Sequence, residues 1–177
     1  MKQVFSILLL FITITMYSQN SQCDKLVNQG FEFLKQGNLI QAIDKYNAAL
    51  KIDANKLEAH YGLGVAYSAT CLQNGGYCNE AITHFLRANE IKKGYRETYY
   101  NLGVCFIKAF NYKEAITYLD KATAQKNNDG EYYYNRGFAK IQLGKNSEGC
   151  KDLKKALELK FTPAQDLLNQ YCGHQKI

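Results

Sequence analysis

The sequence predicts an all-α solenoid of four helical hairpins ended by a capping helix. Two observations carry this. A pattern of small and large residues recurs four times. Gly30, Ala42, Tyr46 and Ala49 are followed by Gly64, Ala81, Phe85 and Ala88, by Gly103, Ala115, Leu119 and Ala122, and by Gly137, Gly149, Leu153 and Ala156. Counterparts are 34 residues apart, except that 39 separate Ala42, Tyr46 and Ala49 from Ala81, Phe85 and Ala88, and Gly64 from Gly103. Within each copy the last three positions follow i, i+4, i+7 and share one helical face. Small residues there let two helix axes approach, and the large residue fills the groove between them. A hairpin of this kind cannot bury its apolar face alone, so successive copies stack.

Taken in order, Met1-Lys2-Gln3 is a short cationic start, and Val4 to Tyr17 is an uncharged, mostly apolar run of 14 residues. That is shorter than the roughly 20 residues of a membrane-spanning helix. With the polar exit Ser18-Gln19-Asn20, residues 1–19 read as a secretory signal peptide cut near Ser18 or Gln19. An uncleaved N-terminal anchor is the alternative. Cys23 follows Asn20-Ser21-Gln22 and not an apolar lipobox, which argues against a lipoprotein signal. The protein is therefore expected to be exported, periplasmic or secreted, without a membrane span after cleavage. Removing the segment lowers the net charge from +6 to +5. The remaining charges are mixed in sign (Lys151-Asp152, Lys154-Lys155, Glu158), as on solvated helix faces, so a nucleic-acid partner is not expected.

Residues 20–177 form one domain with repeats at about 23–56, 57–95, 96–129 and 130–162 and a capping helix at about 163–172. Ser21 with Asp24, Asn38 with Gln41, Asn55 with Glu58 and Asn111 with Glu114 read as helix N-caps. Thr162 reads as the N-cap of the last helix, with Pro163 at its first position. That helix carries Leu167, Leu168 and Tyr171 and covers the apolar edge of the fourth hairpin. The second repeat holds five extra residues between Cys71 and Cys78, expected to enlarge its turn around Asn74-Gly75-Gly76.

A 34-residue helix–turn–helix period with these small and large positions resembles the tetratricopeptide repeat (TPR), over about 23–156. The longer second unit also somewhat resembles Sel1-like repeats. The resemblance implies a right-handed α-solenoid whose first helices line a concave groove where peptide segments or partner helices dock. Counting each unit from Cys23, Leu57, Arg96 and Gly130, the second position holds Asp24, Glu58, Glu97 and Glu131. The fifth holds Val27, Tyr61, Tyr100 and Tyr134, the sixth Asn28, Gly62, Asn101 and Asn135, and the ninth Phe31, Val65, Val104 and Phe138. Positions two, five and nine share a helical face, predicting a tyrosine and apolar strip edged by carboxylates. Some family members use an asparagine ladder at this inner position to hold a bound peptide, and Asn28, Asn101 and Asn135 match it while Gly62 breaks it. The acidic second positions argue against a clamp for a C-terminal carboxylate. The tyrosines have the alternative role of packing between neighbouring helices.

Six cysteines in an exported chain suggest disulfides. Cys71 and Cys78 flank the insertion, and Cys150 and Cys172 lie on helices expected to pack together, so both pairs are predicted to bond. Cys23 and Cys105, two repeats apart, are predicted to stay reduced. Cys71 and Cys78 are too far apart in sequence for a short zinc-binding pair, and His60, His84 and His174 are taken to fall in separate units, so no metal is expected. Phosphate-cradling, dinucleotide and nucleophile-elbow motifs are absent, which predicts neither cofactor nor catalysis. The expected function is a non-catalytic interaction scaffold in the cell envelope that binds a protein or peptide. Glycan binding through the groove tyrosines is the alternative. End-to-end self-association is a third option, opposed at one end by the capping helix.

Overall fold

The computed structural model describes residues 2–74, 78–94, 96–125 and 129–173. Among them nine helices and no strand follow one another. They are α1 (Lys2–Lys35), α2 (Leu39–Ile52), α3 (Leu57–Asn74), α4 (Asn79–Ile91), α5 (Arg96–Lys108), α6 (Tyr112–Ala124), α7 (Gly130–Gln142), α8 (Asn146–Glu158) and α9 (Ala164–Cys172). Helices α1/α2, α3/α4, α5/α6 and α7/α8 pair as hairpins, each second helix packs on the next first helix, and α9 closes on α8. The first helices also touch across repeats (α1 to α3, α3 to α5, α5 to α7), whereas α2, α4, α6 and α8 do not touch one another. The array therefore curves with α1, α3, α5 and α7 on its inner side. No helix of the described residues is long and apolar enough to cross a membrane.

The repeat glycines mark where the two helices of a hairpin come closest. A Cβ on Gly103 would stand 2.5 Å from Leu119 Cγ, and one on Gly137 would stand 2.9 Å from the carbonyl of Gly149. Phe85, Leu119 and Leu153 are completely buried, and Tyr46 is 2% exposed. Each such side chain contributes roughly 1.5–3 kcal/mol by leaving water. Burial pushes the Tyr46 phenol up to about 12 and the Cys105 thiol up to about 11.

Three hairpin turns are built alike. In each, the second residue after the first helix adopts a left-handed conformation: Gly37 (φ 74°), Phe110 (φ 59°) and Gly144 (φ 75°). The next amide closes the cap, with Asn38, Asn111 and Lys145 donating to the carbonyls of Phe33, Phe106 and Lys140 at 2.8–2.9 Å. This is the Schellman arrangement, for which glycine is favoured because it has no Cβ to clash. Phe110 has that Cβ, and its side chain is 67% exposed.

Several sequence expectations change at the helix ends. Helix α1 runs without a break through Ser21, so Ser21 is not a cap. Asn38 and Asn111 do precede α2 and α6, but neither side chain caps. Asn38 instead donates to Gln36 Oε1. Asn55 lies two residues ahead of α3, and its side chain accepts from Arg87. Helix α9 starts at Ala164 with Pro163 at its N-cap, one residue later than expected, because turn bonds from Ala164 and Gln165 to Phe161 and Thr162 hold the entry. The extra residues of the second repeat mainly lengthen its first helix: α3 has 18 residues where α5 and α7 have 13. Gly75 and Gly76 lie outside the described residues.

Cys71 and Cys78 join across that extension, and Cys150 on α8 joins Cys172 at the end of α9, with Cα separations of 5.5 and 5.9 Å. Cys23 and Cys105 are buried free thiols. Asp152, read from the sequence as a surface charge, is only 6% exposed. It accepts two bonds from Arg136, at 2.6 and 2.8 Å, and one from Lys140 at 2.8 Å, tying α7 to α8. His60 and His84 belong to one hairpin, not to separate units, and their Nδ1 atoms lie 3.1 Å apart. His174 lies outside the described residues.

Two outcomes follow from these features. Replacing Phe110 by Gly relieves a left-handed strain of about 1 kcal/mol or more and should raise the urea midpoint; a lowered midpoint would show that the exposed ring contributes packing. The Tyr46 and Cys105 protons are held more tightly in the folded chain than in the unfolded one, so their stabilisation is complete below about pH 9 and is lost as pH rises toward about 12. Tyr46→Phe should remove a loss on the order of 2–3 kcal/mol between about pH 10 and 12. Unfolding followed against pH for both proteins measures the difference.

Candidate binding groove

The inner face of the array is built from the positions that the sequence singles out, but those positions divide into two groups. In the second and third repeats each inner tyrosine is fastened to the repeat that follows. Asn101 Nδ2 donates to Tyr61 Oη at 3.3 Å, and Asn135 Nδ2 donates to Tyr100 Oη at 3.1 Å. The second amide hydrogen of Asn135 serves the Glu131 carbonyl of its own helix at 3.1 Å. Tyr100 also stacks on Tyr132, with ring centroids 4.0 Å apart and planes at 10°. Burial, and then its bond to Glu131, holds the Tyr100 phenol well above its usual range. Tyr134 has no fifth hairpin to meet and packs against Phe161 ahead of α9, 5.1 Å between centroids. Phe138 sets its edge against Tyr112 of the preceding hairpin.

The same bond is impossible between the first and second repeats. Val27 stands where the tyrosine would be and has no hydroxyl; Gly62 stands where the asparagine would be and has no amide. The Tyr46 ring lies so close beneath Gly62 that a Cβ there would collide with it. Both halves of the fastening are missing together, and an open cavity of about 540 Å³ occupies the position. Val27, Phe31, Leu34, Gly62 and Val65 form its apolar wall, with Asn28, Glu58, Tyr61 and Lys92 around them. Phe31 is 54% exposed, and Asn28 is exposed as well.

The structure thus brings Asn28, Phe31 and Tyr61 together around one cavity. It places Tyr100, Asn101, Asn135 and Phe138 in contacts between repeats and Tyr134 against Phe161 ahead of α9, the packing alternative for the tyrosines. The carboxylate edge is also partly neutralised. Asp24 and Glu58 share the Lys56 ammonium, and Glu131 engages Tyr100. Sequence reasoning did not find Val65 and Leu34 as partners of Phe31 at one opening, although the simultaneous change at positions 27 and 62 signalled it.

Family models for TPR units match residues 30–70, which run from within α1 through α2 into α3, and residues 130–163, which coincide with the α7/α8 hairpin. The chain is a tetratricopeptide-repeat protein. Residues 75–132 match the family model of regulator of microtubule dynamics proteins 1–3. No curated protein matches the chain in sequence. Among solved structures, the MamA protein is 23% identical with a TM-score of 0.72, over 80% of this chain and 74% of that one. MamA from Desulfovibrio magneticus RS-1 is 22% identical with a TM-score of 0.70, over 78% and 75%. YrrB, described as a TPR protein with an unusual peptide-binding site, is 22% identical with a TM-score of 0.71, over 83% and 73%. At this level of identity these neighbours establish the solenoid fold.

If the Tyr–Asn bonds fasten the TPR hairpins, Tyr100→Phe and Asn135→Ala should each lower stability, and a double-mutant cycle should give a coupling of about 1 kcal/mol. Costs that add to within about 0.3 kcal/mol would mean that the bond holds nothing.

Proposed function

We propose that this TPR protein is a non-catalytic scaffold that holds a segment of another protein against the opening between its first and second repeats. The paired loss of Tyr and Asn at positions 27 and 62 carries this reading, because it leaves apolar surface uncovered where the next two interfaces are closed. An apolar side chain of the partner would rest on Val27, Phe31 and Val65 above Gly62. Asn28 at the edge offers both a donor and an acceptor to the partner's backbone. Such an aromatic-anchored apolar centre with polar surroundings is the usual form of a protein contact. The scaffold role of TPR arrays supports the same reading. Helix α1 begins in the 1–19 segment, and we propose that this segment directs export and places the scaffold in the envelope or outside the cell. Intact-mass measurement of the protein from its native cells tests that part, since an uncut N-terminus on all molecules would rule out a cleaved signal.

The groove is tested with a displayed peptide library selected on the full chain. Selected peptides should carry an apolar anchor, and Phe31→Ala should weaken them by about tenfold or more, the effect of losing a binding hot spot. Phe31 is exposed, so the thermal midpoint should hardly move. Peptides that bind the Phe31→Ala and Asn28→Ala variants as tightly as the wild type would place the site elsewhere.

A further inference from the structure

We propose that His60 and His84 form a two-imidazole binding site for a divalent transition-metal ion of the Zn2+ or Cu2+ class, on the opposite helix pairing from the groove. The two rings come from α3 and α4 and face each other across the second hairpin with Nδ1 atoms 3.1 Å apart. Two nitrogens bound to one ion at about 2.0–2.1 Å are about 2.9 Å apart at a right angle and about 3.3–3.4 Å apart at the tetrahedral angle, so the observed spacing falls between the two. Ring centroids 5.4 Å apart require the imidazoles to tilt onto a common point without separating.

The surroundings prepare this geometry. His60 Nε2 lies 3.1 Å from the carbonyl of Ala54. In the neutral ring that carbonyl holds the hydrogen on Nε2 and leaves the Nδ1 lone pair pointing at His84. A backbone carbonyl on the far nitrogen is the usual means of orienting a metal-binding histidine. His84 is stacked face to face with Tyr67, centroids 5.7 Å apart and planes at 7°, which restricts its rotation. On binding, His84 moves its hydrogen from Nδ1 to Nε2, so the neutral pair takes up the ion with no net release of protons.

The pair opens on a cavity of about 420 Å³ lined also by Ala54, Thr83, Leu86, Arg87 and Glu90. Arg87 is the cation beside it, and its guanidinium is occupied by Glu90 at 2.7 Å and Asn55 at 2.6 Å. Among the described residues no third histidine, cysteine or carboxylate joins the pair to form a larger cluster. Water therefore completes the coordination, which makes this an exchangeable site and not a structural one with four protein ligands.

The test is a calorimetric titration of the full chain at neutral pH with Zn2+ alone and with Cu2+ alone, followed by long-range 1H–15N spectra of the histidine rings. Saturable binding of one equivalent is expected, with the Nδ1 signals of His60 and His84 shifted. His60→Gln and His84→Gln should each weaken binding by more than about tenfold, while His174→Gln should not. The ring spectra of the wild type keep the test valid if either variant fails to fold. The proposal is overturned if no one-equivalent binding occurs, if it survives in both variants, or if only His174 shifts; the pair would then be a hydrogen bond between two neutral rings.

Discussion

The rest of the structure depends on how closely the two helices of each hairpin approach. Gly103 and Gly137 leave no room for a Cβ, and a single large residue from the second helix fills the contact in each repeat. Interior packing at crystal-like density makes that contact nearly all-or-none. Because each hairpin is narrow, its apolar faces are exposed on both sides and must be covered by neighbours. The chain covers them in series and ends the series with α9, whose Ala164 is completely buried and Leu168 nearly so, and which is pinned to α8 through Cys150 and Cys172.

Given hairpins built on one pattern, function depends on where their interfaces differ. The second and third interfaces are each closed by a phenol–amide bond, and the third also by stacked rings. The first has neither partner of that bond and is open. The third and fourth hairpins are further locked by Arg136, which reaches Asp120 and Thr123 on α6 and Asp152 on α8 at 2.6–2.9 Å. A buried ion network of this kind does more for alignment than for stability, since the cost of desolvating the charges offsets much of their attraction. The array is thus tied most firmly at its C-terminal half, and the open apolar cavity between repeats lies at its N-terminal half.

Phe110 stands apart from this economy. Its two counterparts are glycines in the same left-handed turn, and an exposed aromatic ring gains little by packing there. The ring sits edge-on to Tyr112, which in turn meets Phe138, so it extends an aromatic run from the inner face to the edge of the array.

The solenoid, its four units, the terminal helix and the two disulfide pairs were legible in the sequence, because periodicity and spacing act within 40 residues or so of chain and need no knowledge of distant neighbours. Helix ends were less legible, since Asn38, Asn55 and Asn111 look alike in sequence, yet Asn38 turns to Gln36, Asn55 accepts from Arg87 on another helix, and the Asn111 side chain does not cap α6. Only the tertiary structure decided what the inner asparagines do. Asn135 finds Tyr100 across 35 residues, and an amide so engaged has no free hydrogen for a peptide. Packing within a hairpin likewise decided that His60 and His84 face each other and that Asp152 is buried. The physical reason is the same in each case: a repeat pattern records what every unit must do to pack, while the chemistry of a site comes from side chains of different elements meeting at one point.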